Sequence, residues 1–262
     1  MKITHLIIAF LMLPLIASAG TVTLSGTCPS KLVNGNASFS LSNSGNESAT
    51  SLIITLHFIG NVTSNKSVQI GKIAPAQSLN VSVPVSGNGN SGTFGSYFLV
   101  AYRQDSSVFS AIFPCLIDIG NGTASQLLVN SEVVSKISGN STVNVSVVNG
   151  GYTSINASVD LVLPIGLSAP FGSHKALLLG PSSRDGIFFP VTYPNGTGSY
   201  AGAVVVSYQE NGLNHASLST ITIGTQGLKK GMQLGALLEY AVAIVFVAFV
   251  ILILRARLRR KG

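Results

Sequence analysis

Charged residues are scarce in this sequence: only 9% of its 262 residues are Asp, Glu, Lys or Arg. A soluble domain usually carries about a quarter, so this composition indicates the outside of a cell or a membrane. The formal net charge of +7 comes from the two ends of the chain, because seven basic and seven acidic residues cancel between positions 20 and 228. A middle section without net charge offers no basic surface for a phosphate backbone, and we expect no nucleic-acid binding.

Groups that perform catalysis or bind metals are also few. The sequence has no GxSxG, HExxH, GxxxxGKS/T or DxDxDG motif, and His57, His174 and His215 lack the closely spaced partners that metal sites prefer. We therefore predict no catalytic residues, no metal site, no cofactor and no enzymatic activity. A surface hydrolase is the least favoured alternative, since it needs one of these histidines beside a serine and a carboxylate.

Long apolar segments occur only at the two termini. Residues 1–19 predict a secretory signal peptide, with Lys2 at its start and Ala17-Ser18-Ala19 as the cleavage site before Gly20. The apolar stretch at residues 6–16 is too short to cross about 30 Å of hydrocarbon, which argues against an uncleaved anchor.

A transmembrane helix is predicted at residues 232–254, within which residues 240–254 carry no charge. A basic tail of residues 255–262 follows. A segment this rich in Arg and Lys beside a membrane span normally stays on the cytoplasmic side. The sequence thus predicts a single-pass type I protein of the cell membrane with an extracellular ectodomain. The tail residues expected to contact anionic lipid headgroups are Arg255, Arg257, Arg259, Arg260 and Lys261.

Glu239 is the single charged residue of the predicted span. It either pairs with a polar group on a partner's transmembrane helix or lies near the outer interface with its carboxylate reaching water. Its position one turn inside the span favours the second interpretation.

Between the termini, short β-branched or alternating runs are separated by Asn, Gly, Ser and Pro, which indicates antiparallel sheets packed as sandwiches. We predict an all-β ectodomain of two tandem β-sandwich domains, residues 20–120 and 121–227, followed by the single C-terminal transmembrane helix. The predicted strands are residues 37–41, 51–59, 67–73, 78–85, 96–103 and 108–117, and then 142–148, 155–163, 175–179, 186–191, 201–208 and 217–223.

The two halves also share landmarks, which favours a tandem duplication over chance similarity between Ser- and Asn-rich strands. Asn43-Ser44-Gly45 matches Asn149-Gly150-Gly151, and Gly95-Ser96-Tyr97 matches Gly198-Ser199-Tyr200. In these motifs the unit resembles the Ig-like repeats of archaeal S-layer-associated and cell-adhesion-related surface proteins. The resemblance covers residues 30–224 and implies an Ig-like fold with a spacer, adhesive or envelope-associated role. It implies no catalytic residue.

Cys28 and Cys115 are the only cysteines. An even number in an exported chain predicts one disulfide bond, whereas two free buried thiols are the less favoured alternative. A redox pair is disfavoured because the sequence has no CxxC motif.

Asn-x-Ser/Thr sequons are frequent, and attached glycans would make this weakly charged surface soluble. Accidental sequons in a chain rich in Asn, Ser and Thr are the alternative, so we expect only some to carry sugar. The candidate glycosylation sites are Asn36, Asn46, Asn61, Asn65, Asn80, Asn121, Asn140, Asn144, Asn156 and Asn195.

Taken together, these features predict a membrane-anchored extracellular binding or scaffolding glycoprotein of the cell envelope, S-layer-associated or adhesive. Its expected partners are envelope proteins or glycans, the lipid bilayer and a possible transmembrane partner helix. As a scaffold, two sandwiches stacked end to end would hold a ligand about 80 Å from the membrane. The main alternative is an accessory single-span subunit of a secretion, pilus or transport complex.

Overall fold

The computed structural model describes residues 20–60, 62, 66–86, 91–137, 139–193 and 199–224. The predicted signal peptide, transmembrane span and basic tail lie outside these residues, as do Glu239 and the sequons at Asn61, Asn65 and Asn195. The described residues contain strands and no helix, so the prediction of an all-β fold is confirmed for this part of the chain. Accordingly, this part of the chain holds no helix of the length and apolarity that a membrane span requires.

Fourteen strands make up the described chain, and seven belong to each half. They are β1 (Leu24–Thr27), β2 (Asn36–Asn43), β3 (Ala49–Phe58), β4 (Ser67–Ile73), β5 (Ser78–Pro84), β6 (Ser91–Gln104), β7 (Ser107–Ile119), β8 (Leu127–Ile137), β9 (Asn140–Asn149), β10 (Ile155–Val162), β11 (His174–Leu179), β12 (Arg184–Thr192), β13 (Ser199–Glu210) and β14 (Leu213–Gly224).

Each half is a sandwich of two antiparallel sheets around its own apolar core. In the first sandwich the sheets are β1-β2-β5 and β7-β6-β3-β4, and in the second they are β8-β9-β12 and β14-β13-β10-β11. Alternate side chains point inward, as in β2, where Ala37, Phe39 and Leu41 are fully buried. The ring of Phe39 stacks on that of Phe98 from the opposite sheet at 4.3 Å between centroids. The alternation that identified these strands in the sequence is therefore the pattern that fills the two cores.

The strand pairing of the first half recurs in the second with a constant separation. Ala49 pairs with Ile73, and Ile155 pairs with Leu179, each residue 106 positions later. This register corrects one sequence landmark, since Tyr97 lies opposite Pro114 while Tyr200 lies opposite Ile223. The Gly-Ser-Tyr motif of the second half thus lies three residues before the position that is structurally equivalent to the motif of the first half. Hydrogen-bond pairing, and not local composition, sets which residues correspond.

The Asn-x-Gly landmark, in contrast, marks equivalent corners of the two sandwiches. Asn43 and Asn149 are both buried, and the Oδ1 of each accepts a hydrogen bond from the backbone N–H two residues on, at 3.0 and 2.9 Å. Their Nδ2 groups donate to the carbonyls of Glu47 at 2.7 Å and Thr153 at 2.8 Å. Each asparagine therefore satisfies the backbone of the turn that carries the chain from one sheet to the other.

Two strands were missed by the sequence analysis, and both begin a sandwich. β1 has only four residues and lacks an apolar alternation, and β8 lies at the edge of its sheet with Leu128 and Val134 exposed. An edge strand that covers only part of a core carries a weak hydrophobic pattern.

Cys28 and Cys115 form a disulfide bond with 5.7 Å between their Cα atoms, as the sequence predicted. The bond joins the segment after β1 to β7 and so connects the two sheets of the first sandwich. In the second sandwich Ile221 takes the place of Cys115, since Gly202 pairs with Ile221 as Ser96 pairs with Cys115. The second sandwich thus has a buried apolar side chain where the first has its disulfide.

Replacing both cysteines by alanine tests the contribution of this bond. The variant Cys28→Ala/Cys115→Ala is expected to lose about 4–5 kcal/mol of unfolding free energy, because the bond closes a long loop of the unfolded chain. Denaturant unfolding of the detergent-solubilised chain measures this difference. An unchanged unfolding midpoint would contradict the expectation.

Candidate functional site

The two sandwiches lie side by side, and their junction is the main surface feature of the described chain. β14 pairs with the start of β6 in parallel, with Leu213 opposite Ser91 and Asn214 opposite Gly92. Because β6 corresponds to β13 in the repeat, the two sandwiches run in opposite directions. The outer faces of their larger sheets meet in an apolar cluster of Ile112, Val162, Ala203 and Val205, with Ile59, Tyr97, Leu99 and Leu218 at its edges.

Glycines allow the two sandwiches to approach this closely. A Cβ atom on Gly95 would overlap Cγ1 of Val205, and one on Gly92 would overlap the backbone of Asn214. Gly92 also has a φ of +122°, which other residues rarely adopt. The junction is therefore a backbone-level contact that tolerates no added side chain at these two positions.

The linker between the sandwiches is fixed by hydrogen bonds. Thr93 Oγ1 donates to Asp118 Oδ1 at 2.6 Å, and the N–H of Thr123 donates to Thr93 Oγ1 at 2.9 Å. Thr123 Oγ1 in turn donates to the carbonyl of Asn214 in the second sandwich. His215 Nδ1 lies 2.9 Å from the carbonyl oxygen of Ala124. These contacts fix the linker in which the chain reverses its direction between β7 and β8.

This arrangement corrects the expectation of an end-to-end stack about 80 Å long. Because the sandwiches lie side by side, the pair is about as long as one sandwich. The longest strand, β6, has 14 residues and covers about 46 Å at 3.3 Å per residue. An end-to-end stack requires that tandem domains follow one another in space. The short, hydrogen-bonded linker folds the second sandwich back onto the first instead.

Two open clefts flank Ile59 along the junction. The first has a volume of about 360 Å³ and is lined by neutral polar and aromatic groups, among them Phe94, Asn156, Tyr208 and Asn214. The second has about 350 Å³ and includes the carboxylate of Asp160. Tyr208 is already engaged, because its ring stacks on His215 and its hydroxyl accepts a hydrogen bond from the N–H of Gln126 at 3.0 Å. Neither cleft brings together an acid and a base for catalysis.

One cluster combines a serine, a histidine and a carboxylate, which is the combination that the hydrolase alternative requires. Asp160 lies opposite His174 in the pairing of β10 with β11, and Asp160 Oδ1 is 2.8 Å from His174 Nδ1. Ser158 donates to Asp160 Oδ2 at 2.7 Å and lies 3.3 Å from the same ring nitrogen. The i, i+2 spacing of Ser158 and Asp160 was the available signal, but the strand pairing that adds His174 was not visible in the sequence.

The geometry of this cluster differs from that of a catalytic triad. In a triad the serine and the carboxylate contact opposite nitrogens of the imidazole, so that the ring accepts the serine proton at one nitrogen while the carboxylate orients it through the other. Here both partners meet Nδ1, and the serine donates directly to the carboxylate. The contacts form a hydrogen-bonded cluster on the sheet surface, where the side chain of His174 is 64% exposed. In the described ranges no three His, Cys, Asp or Glu residues are placed to hold a metal ion.

His57 lies in β3 at the edge of the junction, where its ring stacks on that of Tyr97 at 4.9 Å. Burial lowers the pKa of His57 below its ordinary value of 6.5 and raises the pKa of Tyr97 above 10.0. Both shifts favour the uncharged forms. The pair therefore acts as a neutral aromatic contact at the boundary of the apolar cluster.

Most of the described sequons present their asparagine to solvent. Asn144 and Asn156 lie in strands with outward side chains, but Asn144 is half-buried and its Nδ2 donates to Glu132 at 3.3 Å. Asn36 is also half-buried at the start of β2. The exposed ones are Asn46, Asn80, Asn121, Asn140 and Asn156.

Comparison with protein-family models and with curated proteins found no match. Among solved structures, trypsin-activated α2-macroglobulin from Escherichia coli is similar at 11% identity and a TM-score of 0.31 over 77% of this chain. The chain spans only 18% of that molecule. A protein of unknown function from Porphyromonas gingivalis W83 has 11% identity and a TM-score of 0.30, with 77% of this chain and 99% of that one covered. These TM-scores are too low for any functional property of those proteins to be inferred for this chain.

The close approach of Gly95 to Val205 gives a test of the junction. Gly95→Val is expected to separate the two sandwiches, because the new side chain overlaps the opposite sheet. Thermal unfolding monitored by circular dichroism should then show two transitions instead of one. Gly71→Val is the matched control, since a Cβ at this strand glycine meets no atom within 4 Å. Similar unfolding profiles for both variants would contradict this account.

The pKa of His57 predicts how pH acts on the same region. Because the folded-state pKa lies below 6.5, the unfolded chain binds more protons near that pH, and the His57 contribution to stability falls as the pH drops through 6.5. His57→Phe keeps an aromatic ring on Tyr97 and should remove this part of the pH dependence. Urea unfolding between pH 5 and pH 8 measures it. The expectation fails if the variant and the parent chain lose stability equally.

Proposed function

We propose that the chain is a membrane-anchored extracellular binding or scaffolding protein of the cell envelope. The observation that carries the proposal is the Cys28–Cys115 disulfide, which lies between a predicted signal peptide and a predicted membrane span. Disulfides persist in oxidising compartments and are rare in the cytosol. The ectodomain is then outside the cell, and residues 255–262 are inside.

Side-by-side packing supports a scaffold more than a flexible tether. Two sandwiches on a free linker would move independently, whereas these share an apolar cluster, a strand pair and the Thr93–Thr123 hydrogen bonds. A compact, rigid body offers fixed sheet edges and loops to envelope proteins or glycans. The tandem Ig-like architecture and the resemblance to archaeal S-layer-associated repeats belong to the same proposal.

The composition of the surface fits this location. Few charged side chains are available to keep the protein in solution, and the exposed sequons supply positions for solvating glycans. The contacts of the Ser158–Asp160–His174 cluster support a binding role over a hydrolase, because they lack the arrangement of a triad.

Protease treatment of intact cells tests the proposed orientation. With an epitope tag after Gly262, external protease should digest the sandwiches and leave a short tagged fragment that contains the span. Deletion of residues 232–254 is the control and should release the digestible ectodomain into the medium. Protected sandwiches together with a digested tag would overturn the proposal.

Crosslinking on intact cells then identifies the partner class. Surface-lattice proteins or glycans are the expected products for a scaffold. A multispan membrane protein recovered in stoichiometric amount would instead support the accessory-subunit alternative, with Glu239 at the helix contact.

A further inference from the structure

The antiparallel packing brings two apolar segments to the end of the molecule where the described chain leaves it. β14 ends at Gly224, and β6, which starts beside β14 in parallel, ends at Gln104 on the same side. The loop between β10 and β11 reaches this end as well, because the N–H of Ile165 donates to Ser110 Oγ of β7 at 3.0 Å. The end therefore consists of the 163–173 loop, the β6–β7 hairpin and the exit of β14.

Two tight turns in the 163–173 loop expose apolar side chains. The N–H of Leu167 donates to the carbonyl of Pro164 at 3.2 Å, and the N–H of Gly172 donates to that of Ala169 at 3.0 Å. Ile165 and Phe171 are central residues of these two turns, and they are 63% and 78% exposed to solvent. Since Leu167 and Ala169 pack against the second core, the loop is fixed in place with its apolar residues outward.

The neighbouring hairpin extends the same surface. Val108 is 63% exposed and pairs with Arg103, which is also exposed. Asp105 in the hairpin turn is exposed too, so charged and apolar side chains alternate at this end. Such a mixture suits the interface of a bilayer, where headgroups contact the charges and the outer acyl region contacts the apolar groups.

The length of the remaining chain restricts what this end can face. Seven residues, 225–231, separate Gly224 from the predicted span, and fully extended they reach about 25 Å. If the span is in the membrane, the exit of β14 must lie within that distance of the lipid. A bilayer therefore lies within about 25 Å of this end whenever the protein is anchored.

We propose that the 163–173 loop, with Ile165 and Phe171 at its turns, contacts the outer leaflet and fixes the orientation of the sandwich pair on the membrane. This inference rests on the proposed function, because it requires the anchored, outward-facing ectodomain. The partner is the lipid interface itself, and no protein is needed for the contact.

The sequence allows a direct test, since it contains no tryptophan. Phe171→Trp introduces a single tryptophan, excited selectively over tyrosine, into the loop, and Tyr152→Trp introduces one at a 92% exposed position at the opposite end of the second sandwich. Both full-length variants are reconstituted into phosphatidylcholine vesicles with or without acyl chains brominated near the headgroup. Quenching of Phe171→Trp should exceed that of Tyr152→Trp about twofold or more, since interfacial side chains reach about 5–10 Å into the boundary.

Flotation of the same vesicles after alkaline carbonate treatment separates the two proposals. If the chain floats and both variants are equally unquenched, the lipid contact is wrong while the anchored orientation stands. If the chain does not float, the anchor and the contact are both overturned. Ile165→Trp, read in the same way, replaces Phe171→Trp if that variant loses the thermal transition of the parent chain.

Discussion

The contact between the two sandwiches determines the rest of the molecule. It depends on the absence of a side chain at Gly92 and Gly95, which lets β6 meet β14 and Val205 at backbone distance. Thr93 lies between these glycines and binds the linker through Thr123. A short segment of β6 thus supplies both the close approach and the hydrogen bonds that turn the chain back. The clefts beside Ile59 lie along this contact. The direction of the contact also decides which loops and hairpins share each end of the molecule.

Neutral hydrogen bonds take the place of charge throughout the structure. Asn43 and Asn149 bind the sheet-to-sheet turns, threonines bind the linker, and Tyr208 and His215 bind its last residues, Gln126 and Ala124. Across the described ranges the contact of His174 with Asp160 is the single salt-bridge contact; it is an ion pair only when the imidazole is protonated, and it is partly exposed. Ion pairs of this kind contribute little to stability, whereas buried amide hydrogen bonds do not depend on salt. The stability of a fold built in this way depends little on ionic strength.

Much of this fold could be predicted because its strands bury alternate side chains. The pattern of Ala37, Phe39 and Leu41 is readable without coordinates, and the Asn-x-Gly turns identified the repeat at its corners. The edge strands β1 and β8 gave weaker patterns, and the Gly-Ser-Tyr match reflected composition instead of register. The candidate site was beyond reach for a different reason. The proximity of Ser158, Asp160 and His174, and the packing of one sandwich on the other, depend on pairings between distant segments that no local pattern encodes.

Antiparallel packing also places equivalent loops of the two copies at opposite ends of the molecule, although the copies share one fold. Parallel stacking would present equivalent loops in the same direction, whereas here the Asn43 corner lies at the end where β14 exits and the Asn149 corner lies at the opposite end. The β6–β7 hairpin and the β13–β14 hairpin are likewise opposed. If the exit of β14 faces the membrane, the first copy contributes its hairpin to the lipid side and the second contributes its hairpin to the outer side. This packing therefore gives equivalent elements of the two copies different environments.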